Sequence, residues 1–325
     1  MHDTGRPTLA ASIGMMCLFV GVLAEAGEPA LEFADSVTPE MQAAARKAVA
    51  GLLASRLALT KGTFQASGEV THTYRDRPKE SYSGPIEVNS AFDFEKGLIR
   101  FDRTEHTRVT FHRGPGPARP DDPGEKKDVV IRSRYGLNAE KCINWHDQAP
   151  REVRVAARDH RNKARGPGKE VFDVRTIGFP VSNEFDPHAA LETKLQGFWS
   201  QPLSVEKTGS GRVKLERSFP EGRGTRTLWI DPAQGYCPVY FGLRVQDEGY
   251  ESVVEASTTW QSRNDIWVPT ETRWTNFYSV REGRVQTEHK LKFRWDQVGV
   301  EPEPKQFTVE SFLTEPGMRV AEIKF

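Results

Sequence analysis

One stretch, Thr225 to Trp295, leaves this chain few folds to choose from. It holds four long runs of alternating apolar and polar residues separated by short turns. Val239, Phe241, Leu243 and Val245 fall on one face, opposed by Tyr240, Gly242, Arg244 and Gln246. Val254, Ala256, Thr258 and Trp260 repeat the pattern against Glu255, Ser257 and Thr259, and Ile266, Val268 and Trp274 share the face of a third run. In the fourth, Val285, Leu291, Phe293 and Trp295 oppose Gln286, Glu288, Lys290, Lys292 and Arg294. A period of two sustained this long specifies an antiparallel sheet with one face in water and the other on a core. Strands of roughly 10 to 13 residues, rising about 3.3 Å per residue, give a wall roughly 35 to 40 Å tall. The apolar, tryptophan-rich face of that wall needs a cover.

A helix is the first candidate. Thr38-Pro39-Glu40 reads as a helix start, with Thr38 as N-cap, Pro39 at the first helical position and Glu40 at the positive end of the dipole. Met41, Ala45, Ala48, Val49, Leu52, Leu53 and Leu57 recur at spacings of three and four, while Gln42, Arg46, Lys47 and Arg56 are expected to face away. The helix should end near Leu59, before Lys61-Gly62, and its length of about 30 Å matches the wall. A second helix is expected over 187–199. Asp186 is its N-cap, Leu191, Leu195, Phe198 and Trp199 line one side, and Pro202 closes it.

A first meander lies between these helices. Phe64, Ala66, Gly68, Val70 and Tyr74 alternate with polar neighbours; Tyr82, Ile86, Val88, Phe92 and Phe94 follow on one face, then Ile99, Phe101, Val109 and Phe111. Residues 113–127 and 150–170 read as loop insertions, the second rich in Lys and Arg. Without interleaved aromatics or phosphate-loop glycines, the basic segment reads as a solvated loop. Val320, Ile323 and Phe325 offer a last edge strand.

The first 26 residues stand apart from the fold. Arg6 precedes an apolar run from Leu9 to Ala24, and Ala24-Glu25-Ala26 has the form of an export cleavage site. The reading is a signal peptide at 1–26, a periplasmic or secreted protein after cleavage near Ala26, and a single domain over 27–325. The apolar run is too short for a membrane anchor. Cys142 and Cys237 are then free to oxidise, but both sit on expected strands with nothing local bringing them together, so two separately buried thiols are favoured.

The sequence carries none of the common catalytic or metal-binding patterns. The chain has no His-Glu-x-x-His, Cys-x-x-Cys or Gly-x-Ser-x-Gly, and Lys plus Arg balances Asp plus Glu at 45 each. The balance gives no global field for nucleic acid or an anionic membrane. Neighbours such as His146-Asp147 are expected to point to opposite faces of a strand. His289 shares the apolar face with Leu291 and reads as a satisfied interior histidine. An enzyme would need polar side chains converging inside the wall, where His72, Tyr74 and His289 are the candidates. The expectation is a non-catalytic protein without cofactor or metal. Whether the wall encloses a filled core or an apolar groove stays open on these grounds.

The order of elements adds a resemblance. A long amphipathic helix is followed by Gly62-Thr63-Phe64-Gln65-Ala66-Ser67-Gly68-Glu69-Val70, then by Tyr82-Ser83-Gly84-Pro85-Ile86-Glu87-Val88 running into Phe94 and Leu98 to Phe101. Leu228-Trp229-Ile230-Asp231-Pro232, followed by Tyr236-Cys237-Pro238-Val239, makes a Trp-x-Asp-Pro turn into a strand. Over Thr38 to Phe101 and Thr225 to Trp295 the chain resembles periplasmic outer-membrane lipoprotein carriers of the LolA type. Asn89-Ser90-Ala91-Phe92-Asp93-Phe94 stands where that family has an arginine-proline stretch, so no lid-closing arginine carries over. The resemblance implies a mainly β (α+β) fold: an incomplete antiparallel β-barrel wrapped around the first helix, with the second as a lid. It implies a lipid or acylated protein as ligand and only transient membrane contact. The expected groove residues are Phe64, Val70, Ile86 and Phe92 from the first meander and Leu191 and Leu195 from the lid. Phe241, Trp260, Trp274, Leu291 and Phe293 complete them from the second meander. The competing expectation is an envelope interaction module with a filled core, binding a protein partner through its strand edges or the basic loop.

Overall fold

The computed structural model describes residues 31–111, 125–147, 150–158, 173–179, 191, 193, 198, 202–280 and 283–323. Residues 1–30, where a signal peptide is expected, and most of the basic insertion lie outside them. Helix α1 (Pro39–Leu57) starts as its caps dictate: the Met41 amide donates to Thr38 Oγ1 at 3.4 Å. The first meander comprises β1 (Lys61–Tyr74), β2 (Tyr82–Asp93), β3 (Leu98–Phe111), β4 (Glu125–Leu137), β5 (Lys141–His146) and β6 (Glu152–Ala157). The second comprises β7 (Ser204–Lys207), β8 (Val213–Ser218), β9 (Gly224–Asp231), β10 (Cys237–Asp247), β11 (Tyr250–Arg263), β12 (Ile266–Val280) and β13 (Gly283–Val298). β14 (Arg319–Glu322) closes the order.

All fourteen strands belong to one open sheet, ordered β14-β6-β5-β4-β3-β2-β1-β13-β12-β11-β10-β9-β8-β7. The seam between the meanders is the antiparallel β1–β13 pair, whose register runs from Gly62 opposite Val298 to Tyr74 opposite Val285. The sheet ends in two strands of four residues each, β7 and β14, and β14 is the one that runs parallel to its neighbour. Ending a large sheet on very short strands limits the free backbone offered for pairing with another chain.

The inner face carries two apolar clusters. α1 covers the second meander, where Ala45, Ala48, Val49, Leu52 and Leu53 meet Leu215, Leu228, Ile230 and Phe241. The first meander meets Val174 and Ile177 of the 173–179 segment, with Phe64, Phe92 and Trp295 at the centre of that cluster. Strands β5 and β6 are buried on both faces: Cys142 and Ala156 look inward, while Ile143, Trp145, Val153 and Val155 pack outward against Phe312.

Several expectations change. β6 lies inside the segment read as a basic loop; Val153 and Val155 alternate with Glu152 and Arg154, a pattern masked by the surrounding charges. Glu125 to Lys127 belong to β4, paired with β3 as far as Phe111 opposite Glu125. A register shift between Thr259 and Trp260 interrupts the strict alternation of β11 against β12, so Ile266 and Val268 join one cluster and Trp274 the other. His146 and Asp147 do meet, Nδ1 to Oδ1 at 3.1 Å, because Asp147 sits in the turn after β5 instead of continuing its pleat. Leu191, Thr193 and Phe198 are helical, and Leu191 and Phe198 are buried; Leu195 and the rest of the expected second helix lie outside the described residues. Among the described residues, Cys142 and Cys237 are buried and not joined by a disulfide.

The largest correction concerns α1. Leu57 is exposed, and Arg56, expected to face water, is 0% exposed. Arg56 stands four residues after Leu52 and three after Leu53, so the helical repeat puts it on the buried stripe. Its guanidinium lies 4.2 Å over the Trp260 ring and donates from Nη2 to the Trp267 carbonyl at 2.6 Å and to Cys237 Sγ at 3.3 Å. Nε and Nη1 are buried without a hydrogen-bond partner among the described residues. Burial pushes the arginine below its ordinary value, the nearby thiol opposing the shift, and burial also pushes Cys237 up.

Candidate functional site

The inner wall changes character along the strands. At the end where α1 runs into β1 it is aromatic and closed. Phe64 stands 5.0 Å from Trp295, 5.6 Å from Phe293 and 6.4 Å from Phe92, ring centre to ring centre. Moving along β1, the inward positions read Phe64, Ala66, Gly68, Val70, His72 and Tyr74. Across the seam they meet Trp295, Phe293, Leu291, His289, Thr287 and Val285 in turn. On β2 and β3 the same direction leads from Phe92 and Ile99 to Tyr82, Arg103, Glu105 and Thr107. Every strand crossing this part of the wall passes from hydrocarbon to hydrogen-bonding groups.

The polar end is built from two stacked pairs. His72 lies opposite Tyr82 in register and stacks on it, ring centres 4.7 Å apart at an interplanar angle of 22°. His289 lies opposite Trp274 and stacks on it at 5.0 Å and 29°. Thr287 Oγ1 is 3.1 Å from His72 Nδ1, and the Tyr82 hydroxyl is 3.0 Å from Thr107 Oγ1. Arg103 and Glu105 form an ion pair beside them. His289 is interior as expected, yet no hydrogen bond reaches its ring nitrogens among the described residues. It is held by stacking.

Burial sets the protonation of this cluster. His289 is pushed down to about 3, chiefly by desolvation, with Arg103 and His72 as neighbouring positive charges adding to it. Desolvation lowers His72 as well, opposed by the Glu105 carboxylate. Tyr82 is pushed up to about 12 by burial, against its hydrogen bond from Thr107. The sign for His289 is that of a base depressed in the folded state: below its unfolded value of 6.5 the unfolded chain binds a proton that the folded one refuses. Stability therefore falls as pH drops from 6.5 toward 3, with a slope approaching about 1.4 kcal/mol per pH unit from this residue. His289→Phe should remove that part of the slope and match the parent above pH 7 or so. Urea midpoints measured at several pH values for both proteins check it, and parallel curves would refute it.

The expected groove residues divide. Phe64, Val70, Ile86, Phe92, Leu191, Phe241 and Trp260 are buried in the two clusters, and the Trp260 indole donates to the Pro238 carbonyl at 2.8 Å. Trp274, Leu291 and Phe293 are half-buried on the inner wall. His72, Tyr74 and His289, named from the sequence as the inward polar residues, do share one end of the wall. Tyr82 stands on the face read for its strand, but Thr107, Thr287 and the Arg103–Glu105 pair were not singled out. Their signal was strand parity, since each has the inward parity of its strand. Among the described residues no three His, Cys, Asp or Glu side chains are grouped to hold a metal ion, and no helix is long and apolar enough to cross a membrane.

Two shallow depressions lie elsewhere. One of about 470 Å³ on the outer face of β10 to β13 mixes Arg75, Arg244 and Arg273 with Glu251 and Glu255. One of about 540 Å³ lies at the β7–β8 edge beside Phe219 and Pro220. Both open to solvent and neither gathers reactive groups.

No protein-family model matches the chain, and no curated protein matches it. Among solved structures it is similar to the crystal structure of a DUF1329 family protein from Desulfovibrio piger, at 12% identity and a TM-score of 0.41, over 85% of this chain and 100% of that one.

Proposed function

We propose that this is an exported, non-catalytic binding protein. It holds a lipid or the acyl chains of a lipidated protein between the inner wall of its open sheet and the segments that cover it. The observation that carries the reading is the half-buried strip of Trp274, Leu291 and Phe293 on the inner wall, with His72 and Tyr82 at its polar end. Apolar surface left accessible inside a curved wall is a binding feature. The resemblance of the helix and first meander to LolA-type carriers supports the same reading.

The protonation states favour binding over catalysis. A general acid or base works best with a pKa near the operating pH. His289, near 3, and Tyr82, near 12, each keep one protonation state across physiological pH. They are suited to hydrogen bonding and poorly suited to proton exchange.

A second reading rests on the other observation: Phe64, Phe92, Phe241 and Trp260 are buried, so much of the wall is filled. On that reading the protein is an envelope interaction module that engages a partner with its outer surface.

Native mass spectrometry of the chain purified from the exported fraction separates the two. Bound acyl species, or uptake of a fluorescent fatty-acid probe, are expected, and the mass also reports cleavage near Ala26. A ligand-free protein that takes up no probe would eliminate the carrier reading in favour of the filled module.

A further inference from the structure

Among the described residues, the charged side chains nearest the polar end of the wall are paired. Arg103 pairs with Glu105, the two sitting next to His289 and His72. Arg108, facing Tyr82, pairs with Asp128 at 2.7 Å. Arg77, facing Tyr74, pairs with Glu80 at 3.1 Å. Among the described residues, a carboxylate or phosphate entering here would meet guanidiniums already paired with Glu105, Asp128 and Glu80, and an ammonium would meet those same paired carboxylates. Bringing either into this half-buried site would cost desolvation with no matching ion pair to offset it.

Uncharged hydrogen-bonding groups are what remain. With Nδ1 of His72 engaged by Thr287, Nε2 is left; His289 and the Tyr74 hydroxyl make no side-chain hydrogen bond among the described residues. The stacked rings of His72 on Tyr82 and of Trp274 on His289 form flat platforms at this end. Below them the wall is hydrocarbon down to Phe64 and Trp295.

We propose that the ligand is an amphiphile whose chain lies along Leu291 and Phe293 and whose head, set among His72, Tyr74 and His289, is an uncharged alcohol or ester. The inference rests on the groove reading above and adds to it the chemistry of the head. The neutral imidazole of His289 can donate to an ester carbonyl through one nitrogen and accept from a hydroxyl through the other. Burial, which keeps that ring unprotonated, acts in the same direction.

The experiment is displacement of diphenylhexatriene, a neutral apolar probe, from the full exported chain at pH 7.5. Monolauroylglycerol, laurate and dodecylammonium serve as competitors of equal chain length, each below its micelle concentration. Monolauroylglycerol should displace the probe at a concentration at least tenfold lower than either ion. In the His72→Leu, His289→Leu double variant the ratio should shrink to less than threefold. Laurate or dodecylammonium competing as well as the glyceride would overturn the proposed head chemistry and leave the groove standing, as would a double variant with an unchanged ratio. A chain that takes up no probe at all would overturn the groove and the head together.

Discussion

Gly68→Ala is expected to be among the most damaging single substitutions in the chain. Gly68 lies on β1 opposite Leu291, at the middle of the seam that joins the two meanders. A Cβ built there runs into the Lys290 carbonyl oxygen, well inside van der Waals contact, with the Leu291 Cα also too close. The obstacle is backbone, so no side-chain rotation relieves it; β1 and β13 must part. Overpacking a tight site costs about 1 to 3 kcal/mol when side chains can adjust, and here the loss should exceed about 3 kcal/mol. Ser67→Ala, one residue earlier on the exposed face, should change little and serves as the control. Urea denaturation of both variants checks the claim. A Gly68→Ala protein within about 1 kcal/mol of the parent would show that the seam is looser than described.

The second large effect belongs to Arg56. Arg56→Ala should cost about 3 kcal/mol or more, from the cavity left under Trp260 and from orphaning the Trp267 carbonyl. Arg56→Met should cost far less, and its expected outcome lies between a loss of about 1 kcal/mol and a gain. The reasoning is electrostatic. A buried guanidinium is repaid only by a counter-charge and a full set of hydrogen bonds. Arg56 has a thiol in place of a carboxylate, and two of its nitrogens go unpaired. Methionine fills the volume without bringing the charge indoors. If methionine proves as costly as alanine, the stack on Trp260 and the bond to Trp267 outweigh the desolvation, and the charge itself is stabilising. Guanidinium chloride midpoints for the three proteins decide between these outcomes.

Much of the architecture was legible because its signals are periodic. The alternation from Thr225 to Trp295 gave β10 to β13 with little error, and Thr38-Pro39 marked the start of α1. Of the expected edge strand, Val320 lies in β14, Ile323 just beyond it and Phe325 outside the described residues. Residue chemistry misled where it was allowed to overrule geometry. Arg56 was sent to the surface by its charge although its spacing from Leu52 and Leu53 placed it inside. β6 was hidden because the basic residues around it drowned a short Val-x-Val alternation. Asp93, Asp173 and Asp231 are buried against the usual preference of carboxylates for water; Asp173 and Asp231 are tied to Arg175 and Arg212, each at 2.9 Å. The polar end of the inner wall was half legible. Parity put His72, Tyr74 and His289 on one face, but which strands stand side by side is a tertiary fact. The β1–β13 seam, which brings His72 and His289 together, has no local signature.

That seam also sets a timetable. β2 is complete soon after β1 leaves the ribosome, but β13, the other neighbour of β1, ends at Val298. Until then one long edge of β1 has no partner, and the aromatic rings of its inner face have no opposite wall. Pairing strands so distant in sequence closes a large loop and is slow. An unpaired apolar edge held open meanwhile invites association with other chains. The nascent first meander therefore depends on being shielded until the last long strand arrives, and a chain stopped short of Gly283 should aggregate instead of leaving a stable half.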